Sequence, residues 1–439
     1  MSAAASSIAG GSARILAARA VASVAAFATV LTLARGLPPA GRGAVAFVWM
    51  TALVLAGVSR LGLDSAATVL VARRVDERSR ILTNLLLFSL AAAAAAGGLA
   101  ALVLGLSPSL RPAGIEGVEL VALALGTVGL ALQGAAVAFL IGCERFRDQA
   151  IASASAAVLL AGLVVGYELA GALSVRVALL LWAGAQLAGA AVGLATAMAA
   201  ARPGRPSGAL FRESLAFGVR AWAGSVAAFL NARVDQVIMG LISTEAALGF
   251  YAVAVNASEV VLYLPASVAM VLVPSISRAA AEERVETTLR MFRSLVLLTA
   301  GLVLAGLASA PLIPLVFGSA YSPAVEPYLI LLPGGLAFVA LVVFSGSLVA
   351  SSAPGRSSLG PLAALVVGVG LDLALIPALG ANGAAVAATA AFAVGGAVAI
   401  LVYRATVGIA ARALLPGKSD VELIQGLVRR FARPSRAST

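Results

Sequence analysis

The chain has 439 residues, of which 61% are hydrophobic and 11% are charged, and its formal net charge is +11. About one quarter of an ordinary globular domain is charged, so this composition excludes a soluble domain and indicates an integral membrane protein. The sequence has no His and only one Cys, Cys143. Histidine-ligated metal sites, a histidine base and an intramolecular disulfide are therefore excluded, and we expect no cofactor and no metal.

Twelve apolar segments are long enough to cross a bilayer as helices. They are continuous rather than alternating, which favours an all-α membrane protein over a barrel. The segments lie near residues 15–34, 43–63, 81–106, 117–142, 150–171, 175–200, 214–242, 248–272, 292–316, 326–350, 358–378 and 382–404.

The basic residues are distributed unevenly between the connecting segments. Most lie in the segments on the same side as the two termini, whereas the opposite loops hold only Arg35, Arg42, Arg111 and Arg176. By the positive-inside rule both termini are predicted to be cytoplasmic, and this topology explains the net charge better than binding to nucleic acid does.

The two halves of the chain resemble each other. ASVAAF at 22–27 recurs as GSVAAF at 224–229, and GLPPAGRGAVAF at 36–47 parallels GLISTEAALGFYAV at 240–253. Six spans per half predict a parallel repeat related by a pseudo-two-fold axis along the membrane normal. The predicted organisation is an N-terminal six-helix bundle at 1–200, a cytoplasmic linker at 201–213, a C-terminal six-helix bundle at 214–406 and a basic cytoplasmic tail at 407–439.

The seventh span carries more polar and ionisable residues than any other. In a continuous helix over 214–242, Arg220, Asn231 and Asp235 share one face and Arg233 lies on the other. An ionisable group at mid-bilayer costs about 2.5–3.5 kcal/mol on insertion scales, so such a group faces protein or water. Each charge therefore serves either in a substrate path or in an ion pair between helices.

The eighth span carries a polar stripe. Asn256, Glu259, Tyr263 and Ser267 fall within about 80° of one another over three helical turns. Glu259 is the best candidate for a carboxylate that binds a coupling ion, and the alternative is a bridge from Glu259 to Arg233. Asp372 in the eleventh span is either a second such carboxylate or a packing hydrogen bond.

Smaller features have local explanations. Arg60 and Asp64 are predicted to pair at i and i+4, and Gln133 and Gln186 to make hydrogen bonds between helices. Cys143 is predicted to be an inert packing residue.

Several motifs resemble one known family. FLNARVDQVIMG at 229–240, STEAALGFYAVA at 243–254, VPSISRA at 273–279, VFGSAYSPA at 316–324, ILLPG at 330–334 and IPALGANGAAVAATAAF at 376–392 occur in order along the chain. They resemble the polysaccharide biosynthesis or oligosaccharide flippase group of the multidrug/oligosaccharidyl-lipid/polysaccharide exporter superfamily.

The resemblance implies a fold, a substrate and partners. The fold is two six-helix bundles around a central cavity, in a bacterial or archaeal cytoplasmic (inner) membrane. The protein is then a transporter, not an enzyme, which moves a polyprenyl-diphosphate-linked oligosaccharide to the outer leaflet by alternating access. The expected partners are this lipid-linked oligosaccharide, membrane lipids, H⁺ or Na⁺, a polysaccharide polymerase and glycosyltransferases.

Under this hypothesis the polar residues divide into two groups. Substrate contacts are assigned to Arg233, Arg220, Asn231, Asn256 and Tyr263. The two arginines suit a diphosphate because a guanidinium binds phosphate oxygens bidentately. Ion coupling is assigned to Glu259, Asp235 or Asp372.

Two other functions compete with a flippase. A multidrug and toxin extrusion exporter shares the fold, but it moves amphipathic cations and needs an acidic cavity with few arginines. A membrane glycosyltransferase or ligase needs acidic residues on a sizeable outer loop, and the outer loops of this sequence are short.

Overall fold

A computed structural model of the chain describes residues 3–278, 281–350 and 354–417, together with Asp420 and Glu422. Within these residues helices are joined by short turns and there is no strand, so the predicted all-α class is confirmed. The predicted basic tail lies largely outside the described residues, including Lys418, Arg429, Arg430, Arg433 and Arg436.

The helices follow the predicted apolar segments closely. In chain order they are α1 (Ala3–Gly36), α2 (Pro39–Ser59), α3 (Leu63–Arg73), α4 (Arg78–Leu106), α5 (Gly117–Gly142), α6 (Phe146–Leu169), α7 (Val175–Ala200), α8 (Gly208–Asn231), α9 (Val234–Ile242), α10 (Glu245–Arg278), α11 (Ala281–Ser309), α12 (Leu312–Phe317), α13 (Val325–Leu331), α14 (Gly334–Ala350), α15 (Pro354–Ser357), α16 (Leu359–Leu379) and α17 (Ala381–Val407).

Nine helices of the described part are long and apolar enough to cross a membrane, and a tenth span results if a bent pair is counted as one. The bent pair joins Ser319–Leu331 to Gly334–Ala350 at an angle of 46°. These ten correspond to ten of the twelve predicted spans. The first predicted span is represented by the shorter apolar helix Ala20–Gly36, and the seventh is divided between α8 and α9. A multi-pass membrane protein is therefore confirmed, while twelve crossings stay a prediction.

The seventh span is not the continuous helix that we predicted. Helix α8 ends at Asn231 and α9 begins at Val234, with a turn at Ala232 and Arg233. The backbone N–H of Arg233 donates to the carbonyl of Leu230 at 2.9 Å, and Arg233 itself has φ −143° and ψ −22°, outside the helical range. The two predicted faces of this span assumed an unbroken helix, and that assumption is wrong.

The chain forms two compact units. The first comprises Met1–Val253 with Val316–Tyr321, and the second comprises Ala254–Leu315 with Ser322–Thr439. This division differs from the predicted boundary at 201–213, because α8, α9 and the start of α10 belong to the first unit. The division into two six-helix bundles stays a prediction.

In the first unit two glycines let helices meet backbone to backbone. A Cβ on Gly43 of α2 would collide with the carbonyl oxygen of Glu245, and a Cβ on Gly249 of α10 would collide with that of Pro39. Gly43 thus lies against Glu245, four residues before Gly249, and Gly249 lies against Pro39, four residues before Gly43. This reciprocal relation is the one that a local two-fold axis produces, and it involves the two segments that the sequence paired as repeats. It supports the predicted pseudo-symmetry at this point.

The second unit has an aromatic core on α11, α14 and α17. The ring centroid of Phe344 lies 4.8 Å from that of Phe292 and 5.0 Å from that of Tyr403. The start of the tail is attached to α11, because Arg293 lies 3.1 Å from the buried Asp420 and donates to the carbonyl of Ala413 at 3.2 Å. The described beginning of the predicted tail is therefore packed onto the unit.

Candidate functional site

The break between α8 and α9 is the most polar point in the membrane helices of the first unit. Asn231 is the last residue of α8, and Arg233 precedes the first residue of α9. Both side chains are partly buried. The first turn of a helix presents backbone N–H groups and the positive end of the helix dipole. Arg233 adds a full positive charge to this helix end, and the carboxylate of Asp235 in the first turn of α9 balances part of it.

Asp235, two residues later, is held by the protein itself. Its side chain is buried, its Oδ2 accepts a hydrogen bond from the Tyr251 hydroxyl at 2.5 Å, and its Oδ1 accepts one from the backbone N–H of Gln236 at 2.7 Å. Tyr251 is fully buried at the start of α10. These bonds give Asp235 a structural role between α9 and α10.

The polar stripe of the eighth span lies on a continuous helix. Asn256, Glu259 and Tyr263 all belong to α10 within the second unit, and Tyr263 is 55% exposed. The opposite face of α10 is buried, and it includes Ser258 and Val261. The stripe therefore points away from the protein that covers the rest of the helix. Because a carboxylate is poorly tolerated by lipid, water or a polar ligand is the expected environment of Glu259.

The other predicted site residues lie in different surroundings. Arg220 is exposed in the middle of α8, in the first unit. Asp372 is 3% exposed in α16, in the second unit, where it is covered by protein rather than open to solvent. Arg233 and Asp235 thus both belong to the first unit, and they are two residues apart in the sequence. The assignment of all these residues to substrate or ion stays a prediction.

The predicted local pairs are largely present. Arg60 and Asp64 form an ion pair of 2.8 Å, and the Gln133 amide donates to the carbonyl of Ala152 on α6 at 2.6 Å. Gln186 is different, because its buried Oε1 has no hydrogen-bond partner among the described residues. Burial raises the pKa of the Cys143 thiol, an effect that the positive charges of Arg78 and Arg145 only partly offset. This environment suits an unreactive packing residue.

Two notable residues received little weight in the sequence. Tyr251 lies in the eighth predicted span, and nothing local in the sequence marks it as the partner of Asp235. Arg42 flanks the first outer loop, where the sequence favoured a topological charge over a release site for an anionic headgroup, yet Arg42 is 2% exposed in the first turn of α2. Its position between two apolar runs was the only indication in the sequence that Arg42 could be buried, and the extent of its burial could not be predicted from the sequence.

The comparisons with known proteins agree with this architecture. Residues 9–280 match the family model described as "Polysaccharide biosynthesis protein". No curated protein matches the chain in sequence.

Solved structures with the same fold cover nearly the whole chain. A structure of the lipid II flippase MurJ in an inward closed conformation has a TM-score of 0.69 at 12% identity, covering 96% of this chain and 93% of that one. An inward-facing multidrug resistance MATE family transporter of the MOP superfamily has a TM-score of 0.67 at 16% identity, covering 88% and 94%. A MOP superfamily transporter from Pyrococcus furiosus has a TM-score of 0.59 at 15% identity, covering 90% and 94%.

The family match covers more than half of the chain, and the fold of the solved structures is that of membrane transporters. The sequence-based prediction that the chain has the fold of this transporter superfamily is therefore confirmed. The chain belongs to the polysaccharide biosynthesis protein family and has the fold of the MOP superfamily transporters.

Proposed function

We propose that the protein is a flippase that moves a polyprenyl-diphosphate-linked oligosaccharide from the cytoplasmic to the outer leaflet during cell-surface polysaccharide assembly. The observation that carries this proposal is the break between α8 and α9, where Arg233 adds its charge to a helix N-terminus inside an apolar helix pair. A diphosphate is the part of such a substrate that hydrocarbon opposes most strongly. A guanidinium beside a helix N-terminus supplies the matching charge.

The remaining roles keep the assignments predicted from the sequence. Arg233 is the main contact for the diphosphate, and Arg220, Asn231, Asn256 and Tyr263 contact the rest of the headgroup. Glu259 is the coupling carboxylate for H⁺ or Na⁺, since it lies half-buried on the polar stripe of α10. Asp235 and Asp372 are less suited to coupling, because both are buried. A coupling ion gains about 2.3 kcal/mol per charge for each 100 mV of membrane potential.

The cellular setting follows from the charges between the spans. Both termini lie in the cytoplasm of a bacterium or archaeon, and the protein resides in the cytoplasmic membrane. Its natural partners are the glycosyltransferases that make the lipid-linked oligosaccharide and the polymerase that uses it.

The test is transport by purified protein in proteoliposomes that contain a polyprenyl-diphosphate-linked oligosaccharide. Outer-leaflet sugar is measured by its accessibility to an added, membrane-impermeant glycosidase. Arg233→Ala should slow translocation about tenfold or more, since a hydrogen bond to a charged group contributes about 1.5–3 kcal/mol. Arg233→Lys should retain part of the activity, because it keeps the charge without the planar fork.

Arg205→Ala is the matched control, because Arg205 is an exposed arginine in the segment before α8. It should transport at the wild-type rate. If Arg233→Ala also transports normally while inserting normally, Arg233 does not bind the diphosphate and the proposal loses its main support.

A cation exporter is the second candidate, because the MATE family structure matches the fold about as well as the lipid II flippase does. The same proteoliposomes distinguish the two. Ethidium efflux driven by an imposed H⁺ or Na⁺ gradient, without translocation of the lipid-linked sugar, would identify an exporter.

A further inference from the structure

Arg42 is a buried guanidinium without acceptors for two of its nitrogens. It is the fourth residue of α2, and only 2% of its surface is exposed. Its Nε and Nη1 are inaccessible and have no hydrogen-bond partner among the described residues. None of the ion pairs in the described part of the chain includes Arg42. A buried charge left in this condition is strongly destabilising, so the packing of the fold does not explain its presence.

An aromatic hydroxyl lies within reach of the charge of Arg42. Tyr321 lies close enough for the charge of Arg42 to act on it, and it is 1% exposed. Its hydroxyl points at the carbonyl of Leu37, with an oxygen–oxygen separation of 3.4 Å, which is long for a hydrogen bond. The Tyr321 ring packs edge to face on Phe250, with centroids 6.3 Å apart. Tyr321 therefore offers a second donor that is only weakly engaged.

The charges around Arg42 add to its own. The first turn of α2 carries the positive end of the helix dipole, which disfavours a cation at this position and favours an anion. Arg35, in the last turn of α1, donates from Nε to the carbonyl of Val316 at 2.9 Å, on the segment that also carries Tyr321. The carboxylate of Glu245 is engaged with the backbone N–H of Ala113 at 2.7 Å. The dipole of α2 therefore adds to the positive charge of Arg42.

We propose that Arg42 and Tyr321 form a binding site for an anion of the phosphate class, distinct from the site at Arg233. The guanidinium and the phenol supply two kinds of donor, and the start of α2 supplies a favourable dipole. The inference rests on the proposed function only for the source of the anion, which we assign to the diphosphate of the transported lipid.

Access to this site requires movement. Gly43, next to Arg42, lies against the backbone at the start of α10, and the Arg42 side chain is 2% exposed. The ligand reaches Arg42 when the contact between α2 and α10 opens. The site is therefore occupied at a stage of transport in which α2 and α10 have separated.

The test uses the full-length protein in phosphatidylcholine nanodiscs, with inorganic pyrophosphate as the probe and calorimetric titration as the readout. Arg42→Gln should weaken pyrophosphate binding at least tenfold, Arg42→Lys less, and Tyr321→Phe by a few-fold. Arg111→Gln is the control, because Arg111 pairs at 3.5 Å with the exposed Glu116 and should not affect binding. Equal affinity of Arg42→Gln and the wild type would overturn the proposal.

Thermal unfolding without pyrophosphate separates binding from a purely structural role. Arg42→Gln should unfold at the wild-type temperature or above it, since the substitution removes a buried charge, and pyrophosphate should raise its unfolding temperature less than that of the wild type. A variant that unfolds earlier but binds pyrophosphate normally would show that Arg42 is only structural, and the site would be rejected.

Two further arms identify the source of the anion. Tighter binding of farnesyl diphosphate than of pyrophosphate, lost in Arg42→Gln, supports the transported lipid as the source. Displacement of pyrophosphate by phosphatidylglycerol, without any preference for farnesyl diphosphate, would assign the site to bulk anionic lipid and overturn our choice of source. Neither result depends on the sugar-accessibility assay of Arg233, so this inference and the proposed function fail separately.

Discussion

The hydrogen bond between Tyr251 and Asp235 gives the most quantitative prediction. Both residues are buried, and the Tyr251 hydroxyl and Asp235 Oδ2 are 2.5 Å apart. Tyr251→Phe removes only the hydroxyl and leaves the ring in place. It also leaves a buried carboxylate oxygen without that donor, so the variant should be less stable than the wild type.

The size of the loss depends on the charge of Asp235. Hydrogen bonds between neutral groups of membrane helices average about 0.6 kcal/mol and reach about 1.7 kcal/mol. Hydrogen bonds to charged groups contribute about 1.5–3 kcal/mol. The short distance and the second donor at Oδ1, the N–H of Gln236, favour an ionised Asp235. We therefore expect Tyr251→Phe to lower the free energy of unfolding by about 2 kcal/mol.

The measurement is reversible unfolding by sodium dodecyl sulfate in mixed micelles, combined with a double-mutant cycle of Tyr251→Phe and Asp235→Asn. The coupling energy should be above about 1.5 kcal/mol, whereas independent sites couple by less than about 0.5 kcal/mol. Tyr167→Phe is the matched control, since Tyr167 is 42% exposed and its hydroxyl should contribute almost nothing. A coupling near zero would refute the structural role of Asp235 and restore it as a candidate for ion coupling.

Two other predictions concern Glu259 and Cys143. Glu259→Gln should slow transport in proteoliposomes and flatten its dependence on an imposed H⁺ or Na⁺ gradient; an unchanged gradient dependence would place coupling elsewhere. Alkylation of Cys143 by iodoacetamide should be slower at pH 7 than that of a free thiol, because its raised pKa leaves less thiolate, and the rate should rise about tenfold per pH unit up to that pKa. Rapid alkylation of the folded protein at pH 7 would contradict the buried environment.

The positions of the long helices were predictable from hydropathy. Helices α5 and α7 begin and end where the apolar runs at 117–142 and 175–200 do. Spans of this kind are determined by local composition, because a bilayer requires an uninterrupted apolar segment of nearly fixed length. Local pairs such as Arg60 and Asp64 were predictable for the same reason, since they depend only on spacing along the chain.

The break at Ala232 and Arg233 was not predictable in the same way. The run from 214 to 242 has no proline and no long polar interruption, so periodicity indicated one helix. The side chains near the break also make contacts that the sequence does not display, such as the bond from Tyr251, sixteen residues further on, to Asp235. The predicted opposition of Arg233 and Asp235 assumed one continuous helical register, and the break at Ala232 and Arg233 removes that assumption.

Asp235 and Arg42 show how the structure changes the ranking of the charged residues. A carboxylate with two donors is explained by the stability of the fold, so Asp235 needs no substrate to account for it. The guanidinium of Arg42 is buried more deeply, yet two of its nitrogens have no acceptor among the described residues. An unpaired buried charge costs several kcal/mol, and ionisable groups inside membrane proteins commonly mark substrate or ion paths. Arg42 in the first turn of α2 is therefore a stronger functional candidate than Asp235 in the seventh span.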